Sequence, residues 1–320
     1  MTLQRLQPVI KRDKEQKGWM MRDKITVIGS LNYDIVLKIP RLPECGETLP
    51  ADEAAFSAGG KGANQAVQAS KLGVPVYMVG CVGRDAHGDY LLEAAQKYGV
   101  NIEHVRRCEE PTGMGLINAM EDGSVFACIV RGANFAVTKE DIDRAEELLK
   151  ETYLVILQME IPQEINEYAI EKAKKLGCKI LLNAAPAAEI PLDYLKMCDI
   201  IVVNEVEASF YLKADVKNEE EARKGIVSLA KAYGTDLVIT LGKAGAVVSE
   251  GGSVTFLPSH QVEAIETTGA GDSFIGGIGY ALLNGQSLTN ACEFATCCSA
   301  VTVCRLGAQD SMPFLDEVKR

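Results

Sequence analysis

The residues with the clearest chemical potential lie in Thr267-Thr268-Gly269-Ala270-Gly271-Asp272-Ser273-Phe274. Small residues lead here into an apolar run with helical spacing. A glycine turn entering a helix exposes N–H groups at the positive end of the helix dipole, where they can hold an anion such as a phosphate in transfer. Asp272 at that helix start can accept a proton from a substrate hydroxyl. It can equally be a plain helix cap. The segment alone leaves both readings open.

A second glycine segment, Gly59-Gly60-Lys61-Gly62-Ala63-Asn64, also opens a helix. Glycines let backbone approach a ligand closely, and Asn64 brings both a donor and an acceptor. A structural strand-to-helix turn is the competing reading. The Walker A pattern is absent, and no G-x-G-x-x-G follows a strand, which disfavours a P-loop and a dinucleotide fingerprint. Asn32 and Asp34, two apart on a strand, share one face. An amide beside a carboxylate suits a polyhydroxy ligand, and a solvated edge is the alternative. Asn204 and Glu207 are three apart and share a face of a first helical turn. Glu207 can hold water on a magnesium ion, or the pair can simply cap the helix. Gln158-Met159-Glu160 and Thr240-Leu241-Gly242-Lys243-Ala244-Gly245 each follow an apolar run. Ligands of open parallel sheets gather beyond the carboxyl ends of the strands. These segments therefore converge on one crevice.

The elements that must position them follow from periodicity. Apolar runs at 25–28, 76–79, 154–157, 180–182, 200–203 and 237–240 read as buried strands, and 32–39 as a partly alternating one. Helical spacing covers 63–72, 89–98, 162–176, 219–233 and 271–283. Another helix spans 138–150, with Thr138 as cap and Asp141 in the capping-box position. Strands alternating with helices imply a mostly parallel sheet covered on both faces. Residues 115–120 and 124–130 flank Glu121-Asp122-Gly123 as a hairpin. With 48–57 they form a small extra sheet outside the alternation.

Composition sets the limits. The 320 residues are 47% hydrophobic and 24% charged, which is ordinary for a globular chain. A net charge of -11 argues against nucleic acid and anionic membrane as main partners. It leaves room for a phosphorylated substrate in a small pocket. The ten cysteines contain no C-x-x-C pair and read as small reduced core side chains rather than a zinc site. No run reaches the roughly 18 apolar residues of a membrane span. Residues 1–22 are polar and mixed in charge, unlike a signal peptide. They read as a disordered or loosely ordered extension ahead of a domain at 23–320, and the cytoplasm is the default location.

Taken together, the motifs resemble the ribokinase family of carbohydrate kinases, also called the PfkB family. The resemblance spans about residues 24–313. Both family signatures stand in order, 59–64 early and 267–272 late, with the N-x-x-E element at 204–207 between them. It implies an α/β fold of the Rossmann type: three layers, with a mostly parallel sheet between helices. A small β lid, at about 38–58 and 111–131, goes with it. The implied activity is transfer of the ATP γ-phosphate to the 5-hydroxyl of D-ribose, giving D-ribose 5-phosphate. Asp272 matches the family's base, with Gly269, Ala270 and Gly271 as its anion hole. The sugar contacts match Asn32, Asp34, Gly60, Lys61, Asn64, Glu160 and Asp272. The ATP contacts match Asn204, Thr240, Gly242, Lys243, Gly245, Gly271 and Thr296. Magnesium would sit near Glu207 through water. A monovalent cation, usually potassium, would map onto Glu266, Thr268, Thr302, Arg305, Gly307 and Ser311, several through backbone carbonyls. The lid implies a homodimer.

Three positions depart from the family pattern. Glu266 stands where aspartate is usual, Thr296 where histidine often flanks the adenine, and Asn183-Ala184-Ala185-Pro186 lacks a proline directly after the asparagine. Rival readings are a kinase of the same family for another sugar or a nucleoside, a non-catalytic sugar sensor, and a nicotinamide oxidoreductase.

Overall fold

The computed structural model describes residues 22–120 and 125–318. The first half runs β1 (Lys24–Ile28), β2 (Asn32–Ile39), β3 (Glu53–Gly59), α1 (Lys61–Lys71), β4 (Val76–Gly83), α2 (Ala86–Lys97), β5 (Asn101–Cys108), β6 (Gly113–Met120) and β7 (Val125–Val130). Next come α3 (Lys139–Arg144), α4 (Glu146–Glu151), β8 (Thr152–Gln158), α5 (Gln163–Lys175), β9 (Lys179–Asn183), α6 (Leu192–Met197) and β10 (Ile200–Val203). The rest is α7 (Glu205–Leu212), α8 (Glu219–Tyr233), β11 (Asp236–Thr240), β12 (Gly245–Glu250), β13 (Ser253–Pro258), α9 (Ala270–Leu283) and α10 (Leu288–Val303).

Nine strands form one sheet in the order β13-β12-β11-β10-β9-β8-β1-β4-β5. It is parallel from β5 to β11 and turns antiparallel at the β12–β13 edge. The central strands are apolar on both faces because helices cover both. In β8, Leu154 and Ile156 pack towards α1, α9 and α10, whereas Val155 and Leu157 pack towards α5 and α8. The sheet thus orients its carboxyl ends, at Gly29, Gln158, Asn183, Asn204 and Thr240, towards one side.

Four expectations change. The run at 32–39 belongs wholly to the small sheet, whose order is β3-β2-β6-β7. The single helix expected at 138–150 is two: Ala145 is fully buried and leaves helical geometry at φ -88°, ψ 8°, so Ile142 and Leu149 on either side of the bend both reach the core. The Thr138–Asp141 capping box is present. Arg22, placed with the leading extension, donates from Nη2 to Leu176 O at 2.5 Å. Residues 1–21 and the hairpin turn Glu121-Asp122-Gly123 lie outside the described residues. Cys45 and Cys128 are exposed rather than buried. Among the described residues no helix is long and apolar enough to cross a membrane.

The small sheet leans over the carboxyl ends of the large one. Asn32 and Asp34 face the crevice, while Tyr33 between them points the other way and lies 4.2 Å, centroid to centroid, from His87 of α2.

Candidate active site

The centre of the site is the start of α9. Gly269 adopts φ 78° and offers no side-chain cap, a left-handed turn that favours glycine. Ala270 N–H bends back to Thr267 O at 3.2 Å, so among the expected anion-hole donors this one is engaged within the turn. The N–H groups of Gly271 and Asp272 follow it at the open helix end. Asp272 is buried, and its carboxylate is gripped from α1: Asn64 Nδ2 donates to Oδ2 and Gln65 Nε2 to Oδ1, each at 2.9 Å. Burial raises the Asp272 pKa above its ordinary value, while Lys61 and these two amides pull against that rise. A carboxylate tuned upwards is better matched to accepting a proton near neutral pH.

Glycines bring the two helices this close. A Cβ at Gly276 would lie 2.6 Å from Gln68 Cβ of α1. One turn before Gly276 is Asp272, opposite Asn64 and Gln65. Gly60, at φ 86°, and Gly62 set the start of α1 against the turn after β1, where a Cβ at either would lie within 2.7 Å of Asn32 N or Ser30 N.

The sugar-side residues converge from three elements. Asn32 Oδ1 accepts from Asn134 Nδ2 at 2.7 Å. Asp34 lies between Gly59 of β3 and Gly115 of β6, and a Cβ at either glycine would strike its carboxylate. No hydrogen bond from the described residues satisfies that carboxylate. Burial first, then the neighbouring Glu160 and Asp272 carboxylates, push its pKa from 3.8 to about 7 against the pull of Lys61. Glu160 is held on Oε2 by Ser30 Oγ at 2.5 Å and by Lys61 N–H at 3.1 Å. Burial alone would lower the Lys61 ammonium, but Asp272, Glu160, Glu207 and Asp34 outweigh it and its pKa is raised. Lys61 stays charged among four carboxylates.

On the other side of Asp272 opens a cavity of about 260 Å³ lined by Lys61, Asn183, Asn204, Glu207, Thr240, Thr267, Gly269, Gly271 and Asp272. Asn204 and Glu207 form a reciprocal capping box on α7: Asn204 Oδ1 accepts from Val206 N–H at 2.7 Å, and Glu207 Oε2 from Asn204 N–H at 2.8 Å. The Asn204 side chain also bonds the Glu207 carboxylate, and both residues line the cavity. Gly242, Lys243, Gly245 and Thr296 do not line this cavity. Gly245 is needed by the fold, since its φ of 128° puts a would-be Cβ into Leu257 O. The Thr296 hydroxyl donates to Glu293 O of its own helix at 2.7 Å. A larger groove of about 600 Å³, lined by Cys198, Asp199, Thr235 and Asp236, lies at the opposite strand ends and holds none of the expected site residues.

The segments expected to hold a cation lie together. Ile265 and Glu266 N–H groups donate to Val303 O at 2.7 and 3.2 Å, and Glu266 Oε2 accepts from Gly307 N–H at 2.8 Å. The Thr302 hydroxyl points away, bonded to Ser273 Oγ and Cys298 O at 2.8 and 3.0 Å. Ser311 Oγ donates to Ala308 O at 2.8 Å, and the Arg305 guanidinium pairs with Glu317. What Glu266 keeps is its second carboxylate oxygen, a hard ligand of the kind an alkali cation takes.

Several residues of the site carry no motif signal. Ser30, Gln65, Asn134, Gln158 and Gln309 are single polar residues fixed by distant partners. Gln158 Nε2 donates to Gln65 Oε1 at 2.7 Å, and Gln309 Nε2 to Asn64 Oδ1 at 3.2 Å. The available cues are Gln65, next to the early glycine motif, and Gln158, at the end of an apolar strand run.

The geometry has close counterparts. A ribokinase of Schizosaccharomyces pombe is 38% identical over 92% of this chain and 96% of its own length. A deoxyribokinase of Salmonella typhi is 34% identical over 92% of this chain and 96% of its own. The structure of Arabidopsis thaliana ribokinase complexed with ribose and ATP superposes with a TM-score of 0.86 at 33% identity, covering 93% of this chain and 98% of that one. The family model for pfkB family carbohydrate kinases matches residues 22–315. That match, over most of the chain, places it in the pfkB family of carbohydrate kinases.

Proposed function

We propose that this chain transfers the γ-phosphate of ATP to the 5-hydroxyl of D-ribose. The observation that carries the reading is Asp272: a buried carboxylate at an open helix start, with the unsatisfied Asp34 on one side and the cavity at Asn204 on the other. The sugar lies under the lid, its hydroxyls bonded to Asn32, Asp34, Asn64 and Glu160. Asp272 takes the 5-hydroxyl proton as that oxygen attacks the γ-phosphorus. The bond to the bridging oxygen breaks, ADP leaves, and Asp272 later returns the proton to water. Charge on the transferring phosphoryl meets the N–H groups of Gly271 and Asp272 and the Lys61 ammonium. Glu207 Oε1 would hold magnesium through water, and the bound ion neutralises phosphate charge. Glu266 and the carbonyls of the 302–311 segment would hold potassium. The lid excludes water, which would otherwise take the phosphate.

Two finer parts belong to the same reading. The chain acts as a cytoplasmic homodimer, joined through the outer lid face, where Phe56, Leu116 and Phe126 are exposed. A second acceptor, 2-deoxy-D-ribose, is favoured by the near-equal identity to a deoxyribokinase. ADP release measured across pentoses, hexoses and nucleosides decides the substrate. Asp272→Asn should turn over about two to four orders of magnitude more slowly. Near-normal turnover by that variant would remove Asp272 as the base, and ribose binding without ADP release would make the chain a sensor.

A further inference from the structure

Lys71 closes α1 two turns beyond Asn64, and no step of phosphoryl transfer uses it. Yet its ammonium is buried and donates to three carbonyls of one segment: Gln309 O at 2.7 Å, Met312 O at 2.8 Å and Asp310 O at 3.5 Å. It also lies 4.2 Å from the Tyr98 ring centroid and 5.0 Å from that of Phe314. Gln68, one turn earlier, donates to Pro313 O at 3.1 Å. A buried ammonium is costly unless charge-assisted bonds and ring faces offset its lost hydration. Here they offset it only in part, since burial still lowers the Lys71 pKa to about 8, and the three carbonyl bonds make a clamp on residues 309–313.

The clamped segment carries Gln309. Gln309 Nε2 donates to Asn64 Oδ1 at 3.2 Å, and Asn64 Nδ2 donates to Asp272 Oδ2 at 2.9 Å. An amide has one oxygen and one nitrogen end. With Oδ1 taken by Gln309, Asn64 must present its donor to the Asp272 carboxylate; flipped, it would present an oxygen. Gln309 itself gains little from this pose, because its Oε1 is buried with no partner. A buried acceptor left unpaired costs about 1–3 kcal/mol. Its backbone must therefore hold it there, and Lys71 holds that backbone.

We propose that Lys71 is a positioning residue for phosphoryl transfer: by clamping the carbonyls of 309 and 312 it sets Gln309 against Asn64 and so fixes the proton-accepting geometry of Asp272. The inference rests on Asp272 as base. The test compares kcat and KM for ribose and ATP in Lys71→Met, Lys71→Arg, Gln309→Leu and the Lys71→Met/Gln309→Leu double variant, with Asp272→Asn alongside and thermal unfolding of each. Lys71→Met should lower kcat roughly 10- to 100-fold, the scale of a misplaced reacting group, with KM for ribose within about threefold. Lys71→Arg, which keeps the charge and donors, should restore most of it. Gln309→Leu should lower kcat alike, and the double variant should be no worse than either single one.

A folded Lys71→Met enzyme with normal kcat overturns the proposal, as does a change in KM alone or a double variant whose loss is the product of the single losses. Where Lys71→Met fails to fold, Gln309→Leu decides, and normal kcat in that variant overturns the proposal. Near-normal Asp272→Asn turnover removes the base assignment itself. An inactive Asp272→Asn beside a normal Lys71→Met removes only the role of Lys71.

Discussion

Asp34→Asn should make the protein more stable and the enzyme worse. Asp34 is 8% exposed and wedged between two glycines, with its carboxylate unsatisfied by the described residues. Its pKa rises from 3.8 to about 7, through burial first and then through Glu160 and Asp272. A group whose pKa is raised by folding binds its proton more tightly in the native state. Its contribution to stability is complete below about pH 4 and is lost as pH rises to about 7. At 1.36 kcal/mol per pH unit, the ionised carboxylate costs about 4 kcal/mol by pH 8. Asparagine is neutral at every pH and has nearly the same shape. The variant should therefore gain about 3–4 kcal/mol at pH 8 and lie within about 1 kcal/mol of wild type at pH 4.

Urea unfolding of both proteins without ligand, at pH 4 and pH 8, measures the difference directly. In the proposed reading sugar hydroxyls supply the missing donors, and hydrogen bonds to a charged group contribute about 1.5–3 kcal/mol each. KM for ribose should rise about 10-fold or more in the variant for the same reason. A variant less stable than wild type at pH 8 refutes the reasoning, and so does an equal gain at both pH values.

Three further outcomes follow from the same geometry. Gly115→Ala puts a methyl group into the Asp34 carboxylate, so KM for ribose should rise about tenfold or more with a smaller change in KM for ATP; equal change in both would detach Gly115 from the sugar. Glu266→Asp is one methylene shorter and loses its reach to Gly307 N–H, now 2.8 Å away; the potassium concentration for half-maximal activity should shift several-fold, and an unchanged potassium titration would detach Glu266 from the cation. Glutamate at both Phe56 and Phe126, 57% and 48% exposed, should halve the mass seen in sedimentation equilibrium, because charge at the centre of an apolar interface blocks association; an unchanged dimer would move the interface off the lid.

The frame of this protein is legible because its strands and glycines are forced. Buried parallel strands must be apolar on both faces, so 154–157 and 200–203 stand out as runs. The glycines at 60, 62 and 269 mark places where backbone meets backbone or turns left-handed. Other parts leave no such trace. α10 is covered on most sides, with Ala291, Cys292, Ala295 and Cys298 buried, so it shows no clean polar face to read. The α3–α4 bend turns on Ala145, which fits a straight helix equally well. Gln309 and Asn64 are 245 positions apart, and Gln65 and Asp272 are 207 apart. A partner at that distance has no periodicity to betray it.

The same limit explains why capping and catalysis could not be told apart at two helix starts. Both roles want a polar residue in the first turn. At α7 the capping reading is correct: the box occupies Asn204 Oδ1 and Glu207 Oε2, while both residues also line the cavity. At α9 the bonding differs. Gly269 is the cap residue and makes no side-chain cap, and Asp272 spends both oxygens on Asn64 and Gln65 of another helix. A carboxylate that served its own helix would bond its own N–H groups. Asp272 instead leaves the N–H groups of Gly271 and its own backbone facing the opening, where the proposed mechanism puts the transferred phosphoryl. The partner a side chain chooses across the fold, rather than its place in the turn, shows that Asp272 is not a cap, and the base role proposed for it builds on that.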